Sequence, residues 1–187
     1  MKKSTENIDI IDIFVDGSAV DCMRPVSLGA GWVAVKDKKP LAGASERIET
    51  HAPNKSYALY AELCAATYAL RKMHLDYGLA AIFRLNSDRR EIIDCVNNRE
   101  VPRQVVISQP EMVFEFEQLL NFLDRLEISA RRSQGSRFQN KDAMRKLSPA
   151  FPQLAHDAAH VLAAQASGSR KVIAYPRLHQ FLEHLSR

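Results

Sequence analysis

Residues 8–18 read IDIIDIFVDGS, and this stretch decides the fold. From Ile8 to Asp16 it is dense in Ile, Phe and Val, whose side chains suit a pleated, half-buried surface, so it reads as a strand. Asp16-Gly17-Ser18 then reads as a turn. A carboxylate thus closes an apolar strand, where a lone charge is costly unless a partner or a cation meets it.

Working outward, a loop with Pro25 leads to a second strand, Gly29 to Val35. The tight polar turn Asp37-Lys38-Lys39-Pro40 leads to a third, Leu41 to Glu49. Such short connections imply an antiparallel meander. After a linker with Pro53, the pattern turns helical from Ser56 to Leu75. Leu59, Leu63, Ala66, Leu70 and Met73 recur at three- and four-residue steps, Ser56 suits the N-cap, and Gly78 closes the segment. Ala81 to Leu85 reads as a strand ending at Asn86-Ser87-Asp88, and Arg89 to Val96 as a helix. Pro102 and Pro110 bracket an irregular stretch. An amphipathic helix with Val113, Phe116, Leu119, Leu120 and Leu123 on one face follows, then a strand from Leu126 to Ala130. Pro152 fits the first turn of a helix carrying Leu154, Ala158, Val161, Leu162 and Gln165, which Ser167-Gly168-Ser169 ends. Tyr175 to Leu185 reads as a short terminal helix. The order βββ, α, β, α, α, β, α implies an α/β fold: a mixed five-stranded sheet with helices on both faces.

The chain has 187 residues, 46% hydrophobic and 26% charged, which suits one globular domain with an appendage. Cys22, Cys64 and Cys95 form no CxxC pair, which argues against a disulfide framework or a cysteine zinc site and for a reducing, cytoplasmic setting. The start, MKKSTENIDI, lacks the apolar stretch of a signal peptide, and no run approaches the ~20 apolar residues of a membrane span. Net charge is +4. Arg131, Arg132, Arg137, Lys141, Arg145 and Lys146 crowd one segment against the single acid Asp142. That segment reads either as a solvated loop and helix face or as a phosphate-contacting patch.

Three carboxylates stand in awkward places. Asp16 ends a strand, Glu62 borders the apolar stripe of its helix, and Asp88 lies just past another strand. Each has an ordinary reading: Asp16 as a turn residue, Asp88 as a helix cap, Glu62 as a helix edge. If the first and fourth strands are neighbours, Asp16 and Asp88 emerge together, and a helix over that edge brings Glu62 to them. Three converging acids repel one another, and a hard divalent cation such as Mg²⁺ or Mn²⁺, ligated by oxygen, removes the repulsion. Other chemistries lack support. His156 and His160 stand four apart on a helix, but no HExxH pattern joins them, and the sequence has neither GxxxxGK[ST] nor GxGxxG. An HD-phosphohydrolase reading of His156-Asp157 conflicts with the strand-rich first half.

Phe14-Val15-Asp16-Gly17-Ser18 followed by Gly29-Ala30-Gly31-Trp32 resembles the opening of ribonuclease H. Tyr60-Ala61-Glu62-Leu63-Cys64-Ala65-Ala66, with Ala69-Leu70, is similar to that family's helix bearing the catalytic Glu. Leu85-Asn86-Ser87-Asp88 is similar to its strand-end Asp. The likeness spans Ile8 to Ala166 and implies a ribonuclease H-like domain over residues 1–166, with 167–187 as a C-terminal helical appendage. The family's fourth acid corresponds to His160, and its neighbouring Asn to His156; Asp157, one helical step away, is the alternative fourth group. Two further departures are Tyr57-Ala58-Leu59, where the family often has Thr-Asn-Asn, and a loop from Ser129 to Gly135 without histidine.

The resemblance implies a metal-dependent nuclease that hydrolyses phosphodiester bonds, with the RNA strand of RNA/DNA hybrids or a structured duplex as substrate. It implies two Mg²⁺ or Mn²⁺ ions, with Asp16, Glu62, Asp88 and His160 as catalytic and metal-binding residues and the basic 131–146 segment gripping the backbone. Two rivals stand beside it: a catalytically weak or inactive nucleic-acid-binding module on the same fold, and a resolvase-like or structure-selective nuclease.

Overall fold

Ile11, Ile13 and Val15 alternate with Phe14 along the first strand, β1 (Asp9–Val20), and the two sets enter different cores. The computed structural model describes residues 9–20, 26–50, 56–78, 81–133, 150–169 and 175–185. Strands β1, β2 (Val26–Lys36) and β3 (Lys39–Thr50) form the expected antiparallel meander. Asp37 and Lys38 both take positive φ at the β2–β3 connection, the geometry of a hairpin whose turn matches the strands' twist. After helix α1 (Tyr57–Tyr77), strand β4 (Ala81–Ser87) pairs in parallel with β1. Next come α2 (Arg90–Asn98), α3 (Arg103–Ser108), a 3₁₀ turn (Pro110–Met112) and α4 (Val113–Leu123). Strand β5 (Ile128–Arg132) then pairs in parallel with β4, giving the sheet order β3-β2-β1-β4-β5. Helices α5 (Phe151–Ser167) and α6 (Pro176–Leu185) complete the described chain.

Helices lie on both faces. Ile11, Ile13, Val15, Ala30, Trp32 and Ala34 pack with the buried residues of α1, α2 and α4. On the opposite face Phe14, Val33 and Val35 pack with Leu154, Ala158 and Val161 of α5 and with Leu178 and Phe181 of α6. Coverage of both faces explains why nearly all of β2 is buried, as the continuous apolar run of a central strand requires. The terminal segment enters this second core, and the Tyr175 hydroxyl donates to Asp157 Oδ2 at 2.7 Å.

Two expectations need correction. Asp16-Gly17-Ser18 is not a turn: β1 runs on to Val20, because β2 continues opposite it, Asp16 facing Gly31 and Ser18 facing Gly29. The stretch between Pro102 and Pro110 is not irregular but holds α3, anchored by the buried Val105, whose N–H reaches Pro102 O at 2.8 Å. Pro102 stands just before the helix, where its missing N–H costs nothing.

The glycines in and opposite β1 set how closely the helices approach. A Cβ on Gly17 would stand 2.5 Å from both Ala58 O and Glu62 N of α1. On the other face, a Cβ on Gly31 would stand 2.3 Å from Ala159 O and 2.4 Å from Ala163 N, and one on Gly29 only 1.9 Å from Ala163 O, all in α5. Helix backbone therefore lies directly against strand backbone on both sides. Gly31→Ala should accordingly cost about 3 kcal/mol, the upper end for overpacking, because the obstacle is main chain that cannot rotate away. Urea unfolding measures this, and an unchanged midpoint would contradict the close packing.

Candidate functional site

Because β1 outruns its last pair with β4, Phe14 opposite Asn86, its Asp16 projects beyond the end of β4. Asp16 shares the α5 face with Phe14. Its Oδ1 accepts the Gly17 N–H at 2.8 Å, and its Oδ2 stands 2.5 Å from His160 Nδ1. The Gly31–Ala159 contact brings α5 close enough for this pair. Asp157 turns away to Tyr175, so His160, not Asp157, meets Asp16. Hydrogen bonding to Asp16 raises the His160 pKa, against the lowering effect of burial; the charges of Asp16, Asp157 and Asp88 raise it further.

Glu62 arrives from the other face. Its residue is 1% exposed, and its Oε1 accepts from the Ser87 hydroxyl at 2.5 Å, at the end of β4. Burial, then the negative charges of Asp16 and Asp88, push its pKa up to about 8, while Ser87 and Arg89 pull the other way. Asp88, one residue past β4, is exposed. Around the carboxyl end of β4, His160 thus stands against Asp16, Glu62 against Ser87, and Asp88 within electrostatic reach of Glu62.

Sequence reasoning missed Arg89. Its Nε lies 3.4 Å from Glu62 Oε2 and 3.6 Å from Asp88 Oδ1, between the two acids. Its backbone N–H donates to Ser87 Oγ at 3.0 Å. The only available signal was its position beside Asp88 at a helix start, which says nothing of where the side chain turns. Among the described residues, no three His, Cys, Asp or Glu side chains converge as a ready metal site. The Arg89 guanidinium already stands beside Glu62 and Asp88. The donor set itself suits a hard divalent ion: carboxylate oxygens, one of them on a buried Glu62 whose pKa burial and the neighbouring acids raise to about 8.

Arg131 and Arg132 lie at the end of β5, in a cleft of about 610 Å³ shared with Asn86, Ser133, Pro152 and Gln153. Arg131 is held: its Nε donates to Asn86 Oδ1 at 2.6 Å and its Nη2 to Asp12 Oδ1 at 3.0 Å. Arg132 is exposed, and no hydrogen bond or ion pair engages it among the described residues. Arg137, Lys141, Arg145 and Lys146 lie outside the described residues. The thiols of Cys64 and Cys95 are free, and burial pushes them up to about 11 and about 12, which leaves them unreactive.

The Glu62 shift has a consequence for stability. Its folded pKa exceeds its unfolded one, so the stability it contributes is full below pH 4.5 and is lost as pH rises through about 8. In chelator, Glu62→Gln should gain on the wild type across that window, the gap widening by a few kcal/mol. Denaturation curves at several pH values test this, and a gap that ignores pH would contradict it.

No family model matches the sequence, and no curated protein matches it. Solved structures do. The chain is similar to the prototype foamy virus protease-reverse transcriptase, with TM-score 0.64 and 18% identity over 87% of this chain, which spans 21% of that one. It is similar to LC9-RNase H1, described as a type 1 RNase H with the type 2 active-site motif, with TM-score 0.61 and 14% identity, covering 86% of this chain and 72% of that one. LC11-RNase H1, isolated from compost, gives TM-score 0.57 and 19% identity, covering 84% of this chain and 95% of that one; the same enzyme is also solved in complex with RNA/DNA hybrid. With its mixed five-stranded sheet and helices on both faces, the chain has the ribonuclease H-like fold.

Proposed function

We propose that the chain is a divalent-cation-dependent nuclease that hydrolyses phosphodiester bonds, its substrate the RNA strand of RNA/DNA hybrids. One observation supports this reading: His160 stands against Asp16 beside the end of β4, where Glu62 is held by Ser87 and Asp88 follows, on a ribonuclease H-like fold. Asp16, Glu62 and Asp88, with His160, would hold Mg²⁺ or Mn²⁺. Bound there, a pair of such ions supplies Lewis-acid stabilisation of the attacking and leaving oxygens.

The chain's own residues do the rest. Glu62 must give up its proton to serve, so cation uptake and proton release are coupled below about pH 8. Ser87 orients Glu62, and the Gly17 N–H orients Asp16. His160, half exposed and hydrogen-bonded to Asp16, would have to be neutral to ligate the cation, so its raised pKa makes its part in the site pH-dependent. Arg132 grips a backbone phosphate, while Arg131, fixed by Asn86 and Asp12, shapes the cleft wall. The free thiols of Cys64 and Cys95 support a reducing, cytoplasmic setting, and no helix among the described residues is long and apolar enough to cross a membrane.

A second reading has its own observation. The groups that already engage the acids, His160 hydrogen-bonded to Asp16 and the Arg89 charge between Glu62 and Asp88, favour a catalytically weak nucleic-acid-binding module on the same fold.

Labelled RNA/DNA hybrid, duplex DNA and duplex RNA, each incubated with Mg²⁺ or Mn²⁺, separate the two. The nuclease reading expects cleavage of hybrid, lost in Asp16→Asn and raised with Mg²⁺ in His160→Asp. Binding without cleavage of any substrate would establish the module instead. In either case, Arg132→Ala should reduce the salt dependence of hybrid binding, the slope of log K against log[salt], by about 1, and Arg131→Ala by less. Equal slopes in Arg132→Ala and the wild type would remove Arg132 from the interface.

A further inference from the structure

We infer that Arg89 is the chain's own occupant of the charge position between Glu62 and Asp88, and that a divalent cation enters by exchange against it. The inference rests on the proposed cation site and adds to it a residue that sets how readily the site fills. Four observations carry it.

First, Arg89 Nε lies within ion-pair distance of both acids, 3.4 Å from Glu62 and 3.6 Å from Asp88. Second, this buried nitrogen makes no hydrogen bond, so the hold is charge attraction without directed N–H···O geometry. Third, the side chain is 41% exposed, so it can swing into water and recover its hydration. Its main chain need not follow, because the Arg89 N–H stays on Ser87 Oγ while the Ser87 hydroxyl donates to Glu62. Fourth, the neighbouring Arg90 points elsewhere and pairs with Asp94 on the exposed side of α2 at 3.3 Å, so the inward turn is particular to Arg89.

A guanidinium and a divalent ion cannot both neutralise the same two carboxylates. With Arg89 in place, one positive charge already stands against both acids. The exchange breaks two loose ion pairs and forms carboxylate–cation contacts, with Arg89 released to solvent. Arg89 is on this account a positioning residue that competes with the cation, not a ligand to it.

Mn²⁺ alone is the probe, added to the full chain, with uptake read as loss of the free-ion magnetic resonance signal and by calorimetry. Arg89→Gln should bind Mn²⁺ about tenfold more tightly than the wild type, with Arg89→Ser as a second neutral variant and Arg89→Lys close to wild type. Asp16→Asn should abolish uptake in both backgrounds. Melting temperature supplies the second readout. Metal-free Arg89→Gln should melt below the wild type, and saturating Mn²⁺ should close the gap, because the ion then supplies the charge. A merely structural Arg89 would leave the gap open with or without Mn²⁺ and would leave affinity unchanged; either result overturns the inference. Uptake by the wild type with no gain in the neutral variants overturns the inference alone. No uptake by any of these proteins overturns the proposed cation site with it.

Discussion

Helix backbone rests on strand backbone at Gly17 on one face of the sheet and at Gly29 and Gly31 on the other, and the candidate site depends on both contacts. A side chain at any of the three positions would hold its helix away by the thickness of a methyl group or more. The consequences lie at or beside two of these contacts. The backbone of Glu62 packs against Gly17 while its carboxylate accepts from Ser87, and His160 follows directly on Ala159, whose carbonyl lies over Gly31. Close approach on two faces thus turns residues from different layers into one cluster, with β1 as the wall between them.

This double use explains what was legible in the sequence. The meander, α1 and the last core helix show plainly in their periodicity, and the three acids stand out because each breaks an apolar pattern. Asp16-Gly17-Ser18 misleads because a glycine beside a short polar residue has the same signature whether the chain turns or another backbone presses on it. Only the partner strand decides, and strand pairing is a long-range fact. Glu62 looks like the edge of a stripe because helical spacing shows its angle but not the second wall formed by β4. Arg89 was invisible for the same reason: a residue at the start of a helix can direct its side chain toward solvent or back over the strand it has just left.

Electrostatics then sets the state of the cluster. A carboxylate as buried as Glu62 cannot stay ionised cheaply beside Asp16 and Asp88, and the structure answers in three ways. Glu62 holds its proton to higher pH. Asp16 shares a hydrogen bond with His160, which raises the imidazole pKa. Arg89 leans between the remaining pair without completing a hydrogen bond through its Nε. None of these is a fixed, fully satisfied bridge of the kind that would lock a buried ion pair permanently. Each can be undone by a proton leaving or a side chain rotating, the property required of acids that must change partners.

Such exchange needs a frame that does not move with it, and Asn86 supplies one. Its Nδ2 donates to Ile13 O of β1 at 3.1 Å and to Arg84 O at 2.9 Å, while its Oδ1 accepts from Arg131 of β5. Three strands are thereby tied at the level where β4 ends, two residues before Asp88. At the far edge Asn97 of α2 bonds both backbone groups of Ala130, which closes β5 against further strand addition and fixes Arg131 in register. The mobile charges of the site are therefore mounted on a sheet end pinned by neutral amides, which do not respond to the pH or the cations that the acids sense. A site that must let its charges exchange gains most from supports that carry none.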